Sequence, residues 1–562
     1  MKECKGIPVS EGIGIGKAKF VTKPKFEIKK KNISEEEVDS ELERFNTNLE
    51  NVLQEMDYLI QNFSHSKDNQ DILHTHKMIL TDPEFIAKIE KMISQELMSL
   101  EQAIKKHFTD IIAIFNNMEN QYYADRSSDY EDVAQRFLKH SMNLKGLDFS
   151  KIDKNSIIFV DKISPSEVTR AYECEAQGIV LREGSKNSHS AIIARSMGLP
   201  MVVCLGHHDN ISENEMVILD GRKGKIFANP DEKTLQKYSK LQEEETTRQK
   251  QLQKLKDKEA ITKDGQKVGL MSNIEIPEEI VQVIQSNSAG IGLFRTEFLF
   301  IDRKNLPTED EQYKIYKKIA EKISPHPLII RTIDVGGDKL SSILNIEHEL
   351  NPNLGCRGIR LSFENIPIFK TQLKAILRAN TTGNIKIMFP MVSCVQEVIN
   401  AKKIIEECKQ ELEEVNNIEI GAMVEIPSAA LNADIIAKEC DFLSIGTNDL
   451  IQYTLAVDRD NQTVAKYYKP THPSVLQLIK LTAEKAHKHQ VKVAVCGEMA
   501  SQEEYVGLLL GLGVDELSVS PAKVLSIKEK IRNADIKEQQ KRAEKILQMS
   551  TAEEVMDFLE KE

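Results

Sequence analysis

The sequence predicts a multidomain α/β protein that ends in a (β/α)8 barrel and carries a helical bundle inserted near its start. Three observations predict it. The chain has 562 residues, enough for roughly three or four domains of ordinary size, each with a buried core. From Thr262 onward, short apolar runs alternate with amphipathic segments, the pattern of a parallel sheet covered by helices. Between two strand-rich pieces, residues 4–20 and 146–230, lies a stretch whose apolar residues are spaced alternately by four and three.

Residues 4–20 read as short strands and turns, with Gly12, Gly14 and Gly16 punctuating Ile13 and Ile15. No helix and no downstream acidic residue follows to complete a dinucleotide-binding fingerprint. Four further apolar runs bounded by turn residues, Ser156–Val160, Gly178–Leu181, Met201–Cys204 and Val217–Leu219, are strands.

In the insertion, Ser34 and Glu37 have the spacing of a capping box. Val38, Leu42, Phe45, Leu49, Val52, Met56 and Leu59 then mark one face of a long bundle helix. A second helix carries Ile72 to Ile79, and a third starts after Asp82-Pro83. From 25 to 145 there are 15 Lys and Arg against 23 Asp and Glu, so minus 8 of the chain's net minus 12 sits here.

Arg182 to Pro200, REGSKNSHSAIIARSMGLP, places His189 at the start of a helix. Ser188 is its cap, Ala191, Ile192 and Ala194 give it an apolar side, and Gly198 with Pro200 ends it. Free N–H groups at such a start stabilise negative charge arriving on the ring. On these residues alone His189 is either a phosphorylatable imidazole or an exposed loop histidine. Residues 231–260 follow, dense in charge and free of Gly and Pro, and read as a linking helix contacting through Leu235, Tyr238, Leu241 and Leu252.

The barrel strands are placed around Val268–Ser272, Gly290–Phe294, Leu328–Ile333, Gly355–Ile359, Ile385–Pro390, Ile420–Val424, Phe442–Gly446 and Val491–Val495. Most of these runs end in a polar residue: Asn273, Arg295, Arg331, Arg357, Glu425, Asn448 with Asp449, and Cys496. Barrel active sites lie at the C-terminal ends of the strands, so these side chains are expected to converge. Glu425 and Asp449 supply two carboxylates, which with ligand oxygens and water suit Mg²⁺. Arg295, Arg331 and Arg459 add guanidinium forks that fit phosphate and carboxylate oxygens. Any one of these arginines taken singly reads equally well as half of a structural ion pair, and Cys496 alone as a small buried hydrophobe.

Composition excludes several classes. Eight cysteines show no C-x-x-C pair and no metal-finger spacing, the usage of a reducing compartment. The N-terminus has no apolar signal core and no run approaches the ~18 apolar residues of a membrane span, so a cytoplasmic protein is expected. No basic cluster interleaved with aromatics appears, so nucleic acid is not an expected partner.

The segment around His189 resembles the phosphohistidine segment of enzyme I of the bacterial sugar phosphotransferase system, Gly-Gly-x-Thr-Ser-His followed by Ala-Arg-Ser and Pro. It departs at Ser185, where a second glycine is usual, and at Asn187, where threonine is usual. From about Asp264 to Ser520 the motifs GLFRTEFLF, IIRTIDVGGDK, MVEIPSAA, SIGTNDLIQYTLAVDRDN and AVCGEMA closely resemble the phosphoenolpyruvate-binding barrel of the same family. Local departures there are Asp460 after Arg459 and Cys356 beside Arg357; neither removes a named ligand.

The resemblance implies a swivelling phosphohistidine domain of residues 1–22 and 146–230, and a helical domain, 23–145, that docks a small histidine phosphocarrier protein. It further implies a linker helix, 231–260, and a barrel, 261–562, that binds phosphoenolpyruvate and forms a homodimer. Residue by residue, it implies that His189 accepts the phosphoryl group and that Arg295, Arg331, Asn448, Asp449 and Arg459 bind substrate, with Arg357 a further contact. Glu425 and Asp449 are then the Mg²⁺ ligands, and Cys496 donates a proton to the enolate carbon. Dikinases and synthases share the histidine domain and barrel but add a nucleotide-grasping domain, for which this chain has no room and no P-loop. A phosphoenolpyruvate sensor without turnover is the rival of another class, and intact His189 and Cys496 count against it.

Overall fold

The computed structural model describes residues 2–21, 32–62, 77, 79–116, 130, 133–134, 136–138, 140–142, 149, 152–184, 189–204, 211–300, 305–335, 349, 351–412, 415–459, 461 and 463–561. The chain separates into two compact units, Met1–Thr246 and Thr247–Glu562.

In the first unit, β1 (Lys2–Lys5), β2 (Ile7–Ser10), β3 (Ile13–Phe20), β4 (Ser156–Val160), β5 (Gly178–Leu181), β6 (Met201–Val203), β7 (Met216–Asp220) and β8 (Lys225–Ala228) form one sheet. Their order is β1-β8-β7-β3-β4-β5-β6-β2. The inner pairs β3–β4, β4–β5 and β5–β6 are parallel. Accordingly β4 and β5 are buried at every position, as strands covered on both faces must be. The strands inferred from apolar runs agree to within a residue or two at their ends.

Helix His189–Met197 connects β5 to β6 and buries Ala191 and Ala194 completely against the sheet. The Ser190 hydroxyl donates to the Ile163 carbonyl at 2.6 Å, fixing the first turn. Gly198, at φ 64°, ends the helix as its sequence position predicts. The cap assigned to Ser188 and the departures at Ser185 and Asn187 lie outside the described residues.

The insertion forms the expected bundle. The Ser34 N–H and hydroxyl both donate to the Glu37 carboxylate, at 2.8 and 3.1 Å, ahead of helix Val38–Asn62. Phe45, Val52 and Met56 of that helix are fully buried against helices Pro83–Ser94 and Leu100–Asn116. Asp82 caps the first of these, accepting the Glu84 N–H at 2.8 Å. Most of the helix assigned to Ile72–Ile79 lies outside the described residues.

The linking helix is Glu232–Gln253, shorter than the 231–260 expected. Tyr238 is its buried contact, packed with Ile13, Ile218 and Phe227. Beyond Gln253 the helix gives way to turns, and two carbonyls of this stretch are taken by side chains. Lys528 Nζ donates to the Lys256 carbonyl at 2.8 Å and Arg532 Nη1 to that of Glu259 at 2.6 Å.

The second unit is a closed barrel of eight parallel strands, β9 (Gly269–Ile274), β10 (Ile291–Phe294), β11 (Leu328–Arg331), β12 (Ile385–Phe389), β13 (Glu419–Val424), β14 (Phe442–Ile445), β15 (Lys492–Val495) and β16 (Glu516–Val519). Pairing of β16 with β9 closes it. The strand count is as expected, but its membership differs at one place. Gly355–Ile359 is no strand: Gly358, at φ 57°, leads directly into helix Ile359–Glu364, and the Arg360 guanidinium binds the carbonyls of Leu354 and Gly355, both at 3.2 Å. The missing strand is Glu516–Val519. Cys496 therefore follows the seventh barrel strand, not the last. Among the described residues no helix is long and apolar enough to cross a membrane. All eight cysteines are free thiols.

Candidate active site

The C-terminal rim of the barrel collects the charged residues. Arg331 is the last residue of β11 and only 8% exposed. Its Nη2 meets Glu297 Oε1 at 2.9 Å and its Nη1 meets Asp334 Oδ2 at 3.0 Å. Arg357 reaches the same Asp334 with Nε and Nη2, at 3.1 and 3.0 Å, and lies 3.5 Å from Asp449 Oδ2. It comes from the bend before helix Ile359–Glu364 and not from a strand end, which corrects its expected placement while keeping it in the cluster. Arg295, immediately after β10, is more exposed and pairs with Glu275.

Facing these arginines are two buried carboxylates. Glu425 follows β13 and is 1% exposed; its Oε1 accepts the Met391 N–H at 2.6 Å. The backbone of Gly446 passes its other oxygen so closely that a Cβ there would lie 2.6 Å from Oε2. Burial, then the neighbouring Asp449 and Asp334 carboxylates, push the Glu425 carboxyl up to about 8. Asp449 sits in the first turn of helix Thr447–Leu455, 6% exposed. Among the described residues its Oδ1 is buried with no hydrogen-bond partner, as is Arg331 Nε. Unpartnered buried groups of opposite sign, an acceptor on one wall and a donor on another, suit a ligand that brings both a cation and anionic oxygens.

Asn448 precedes Asp449 on the same helix. Its Oδ1 accepts the Glu498 N–H at 2.9 Å, and its carbonyl accepts the Tyr468 hydroxyl at 3.2 Å. Arg459 lies exposed in the loop after that helix, its side chain bonded to Tyr468. Asp460 is outside the described residues. Cys496 is 3% exposed and packs in the barrel interior with Leu293, Ile329, Met388, Met423 and Phe442. Its thiol lies 3.7 Å from the Ile445 carbonyl, and burial raises it above the ordinary thiol range.

The barrel thus brings Arg295, Arg331, Arg357, Glu425, Asn448, Asp449, Arg459 and Cys496 to one end, while His189 belongs to the first unit. Sequence reasoning missed Asp334 and Glu297, which hold the arginines, and Tyr468. A signal for the first two existed: each acid stands two or three residues after an arginine already singled out, in RTE and RTID.

Three family models match the chain. The PEP-binding domain of PEP-utilising enzymes matches residues 249–536, their mobile domain 152–224 and their N-terminal domain 5–126. The phosphoenolpyruvate-protein phosphotransferase of Listeria monocytogenes is 38% identical over 568 aligned residues, covering 100% of this chain and 99% of the relative. That of Bacillus subtilis is 39% identical over 567, with the same coverage. That of Staphylococcus carnosus is 38% identical over 567, again with 100% and 99% covered. A fold with a closed barrel, a rim of arginines facing carboxylates, and full-length similarity to these enzymes agree, and the chain belongs to the PEP-utilising enzymes, in the family of the phosphoenolpyruvate-protein phosphotransferases.

Proposed function

We propose that the chain transfers the phosphoryl group of phosphoenolpyruvate to His189 and then to a histidine of the small phosphocarrier protein HPr, releasing pyruvate. The observation that carries this reading is the full-length relationship to phosphoenolpyruvate-protein phosphotransferases in a chain that retains His189 and Cys496. Arg295, Arg331 and Arg459, with Asn448 and Arg357, bind the phosphate and carboxylate of the substrate. Glu425 and Asp449 would hold Mg²⁺; Asp449 Oδ1, without a hydrogen-bond partner among the described residues, and the upward-shifted Glu425 carboxyl both fit a nearby cation. Bound there, Mg²⁺ would neutralise oxygen charge during transfer.

The chemistry then divides in two. The bond from phosphorus to the enol oxygen breaks as one forms to the His189 imidazole, with the arginines screening the charge. The enolate carbon next takes the proton of the Cys496 thiol, leaving a thiolate. A thiol whose affinity for its proton is raised by burial is protonated and ready for that step. His189 arrives from another domain and leaves with the phosphoryl group, so the reading requires a hinge-type swivel. It also takes residues 1–22 and 146–230 as the phosphohistidine domain, 23–145 as the carrier-docking domain, 231–260 as the linker and 261–562 as the barrel. The protein is cytoplasmic and dimeric through the barrel.

Incubation with phosphoenolpyruvate and Mg²⁺ followed by intact-mass measurement tests this. One phosphoryl group per chain, acid-labile and lost in His189→Ala, is expected; retained phosphate on that variant would overturn the acceptor assignment.

A further inference from the structure

Asn273 is a rim residue to which substrate binding assigns no role, yet its amide is fully engaged. It lies on β9, and its Nδ2 reaches across β16 to donate to two carbonyls, that of Cys496 at 2.9 Å and that of Ser518 at 3.0 Å. The two carbonyls only accept, so they fix the amino end of the amide toward them, and the Ser518 hydroxyl donates to Asn273 Oδ1 at 2.5 Å. Room for that hydroxyl comes from Gly292 on β10, where a Cβ would stand 2.4 Å from Ser518 Oγ.

The ladder between β15 and β16 pairs Ala494 with Glu516 and Val495 with Leu517 and ends there. Cys496 is the next residue, so its carbonyl is held by a side chain where a strand would ordinarily hold it. On its other side the Cys496 N–H donates to the Ile445 carbonyl at 3.1 Å. The peptide that carries the thiol is therefore clamped from both flanks, and one of the clamps is Asn273.

We propose that Asn273 is a positioning residue for the proton transfer, bracing the Cys496 backbone so that the thiol is aimed at the substrate carbon. This rests on the reading of Cys496 as the proton donor. In the reverse direction the Cys496 thiolate removes a methyl proton from pyruvate, forming a thiol and an enolate; the thiol exchanges with solvent and returns a deuteron to carbon in D₂O. Positioned acid–base help is worth ~10² to 10⁴ in rate, and a loosened thiol loses part of it. Phosphoryl transfer depends on the arginines and carboxylates, whereas among the described residues the Asn273 side chain hydrogen-bonds to Cys496 and Ser518.

The test compares wild type, Asn273→Asp, Asn273→Leu and Cys496→Ala by two rates: deuterium exchange into the pyruvate methyl group, and single-turnover phosphorylation of His189 by phosphoenolpyruvate. Asn273→Asp keeps the shape and the Ser518 hydroxyl contact but turns an acceptor-only oxygen toward the two carbonyls, whereas Asn273→Leu removes the donors without adding charge, so agreement between the two variants guards against an effect peculiar to either. Both variants should lose at least about tenfold more in exchange than in phosphorylation. Equal losses in the two rates would make Asn273 merely structural and overturn the proposal. Wild-type exchange in both Asn273 variants, with exchange slowed in Cys496→Ala, would overturn the brace alone. Wild-type exchange in Cys496→Ala would overturn the donor assignment and the brace with it.

Discussion

Arg357 grips Asp334 through two parallel contacts, Nε to Oδ1 at 3.1 Å and Nη2 to Oδ2 at 3.0 Å, while Arg331 binds that same Oδ2 at 3.0 Å. One buried carboxylate thus organises two guanidinium groups at the barrel mouth. Removing one partner of a buried pair typically costs ~3–5 kcal/mol, because the charge left behind keeps its desolvation penalty. Asp334→Ala should therefore lower barrel stability by about 3 kcal/mol and raise the KM for phosphoenolpyruvate; Asp334→Asn, which keeps one acceptor, should lose less of both. Urea unfolding and steady-state kinetics check this, and a wild-type KM in Asp334→Ala would show that the arginines hold their places unaided.

Glu425 and Asp449 are both nearly inaccessible, and Asp449 Oδ1 has no hydrogen-bond partner among the described residues. Glu425→Gln or Asp449→Asn should shift the magnesium dependence of His189 phosphorylation to higher concentration and slow the maximal rate by orders of magnitude. A magnesium titration that leaves either variant at wild-type rates would remove that residue from the metal site.

The barrel was legible because strands covered on both faces read as continuous apolar runs, and seven of the eight were found that way. The eighth, Glu516–Val519, alternates polar with apolar residues, Glu-Leu-Ser-Val, so it forms no continuous apolar run. Gly355–Ile359 has the same composition as a short strand; what makes it a bend is the positive φ of Gly358 and the carbonyl contacts of Arg360, both outside the reach of periodicity. The site divides likewise. Residues carrying family motifs, such as Glu425 and Asp449, stand at the rim where the sequence places them. Asp334 was not, because an acid in a loop looks solvated until two arginines from different segments are seen to close on it.

Docking of the phosphocarrier should be salt-sensitive in rate. The insertion carries minus 8 between residues 25 and 145, and exposed charge of that sign draws a basic face until salt screens it beyond ~8 Å at physiological ionic strength. Association measured by stopped flow should slow as salt rises from low to physiological and above. A rate independent of salt would place docking on a different, uncharged surface.

His107 makes the insertion sensitive to acid. It lies on helix Leu100–Asn116, 5% exposed, with its ring 5.2 Å from that of Phe85 and 5.4 Å from that of Phe108. Its Nδ1 is buried with no hydrogen-bond partner among the described residues. Burial, followed by the charge of Lys88 and opposed by Asp110, pushes the imidazole down to about 4. The unfolded chain takes this proton near the ordinary histidine value, the folded chain only near the lower one. Stability is thus complete above about pH 6.5 and falls as pH drops between the two values, by up to about 3 kcal/mol, with no further loss from this group below them. Amide exchange of peptides from helix Leu100–Asn116, corrected for intrinsic rates, should show protection falling from pH 7 to pH 5 in the wild type. In His107→Phe, whose ring fits among Phe85 and Phe108 without a titrating group, most of that fall should disappear. If the two proteins lost protection equally over this range, the acid sensitivity would belong to the carboxylates of the bundle and His107 would be only a packed ring.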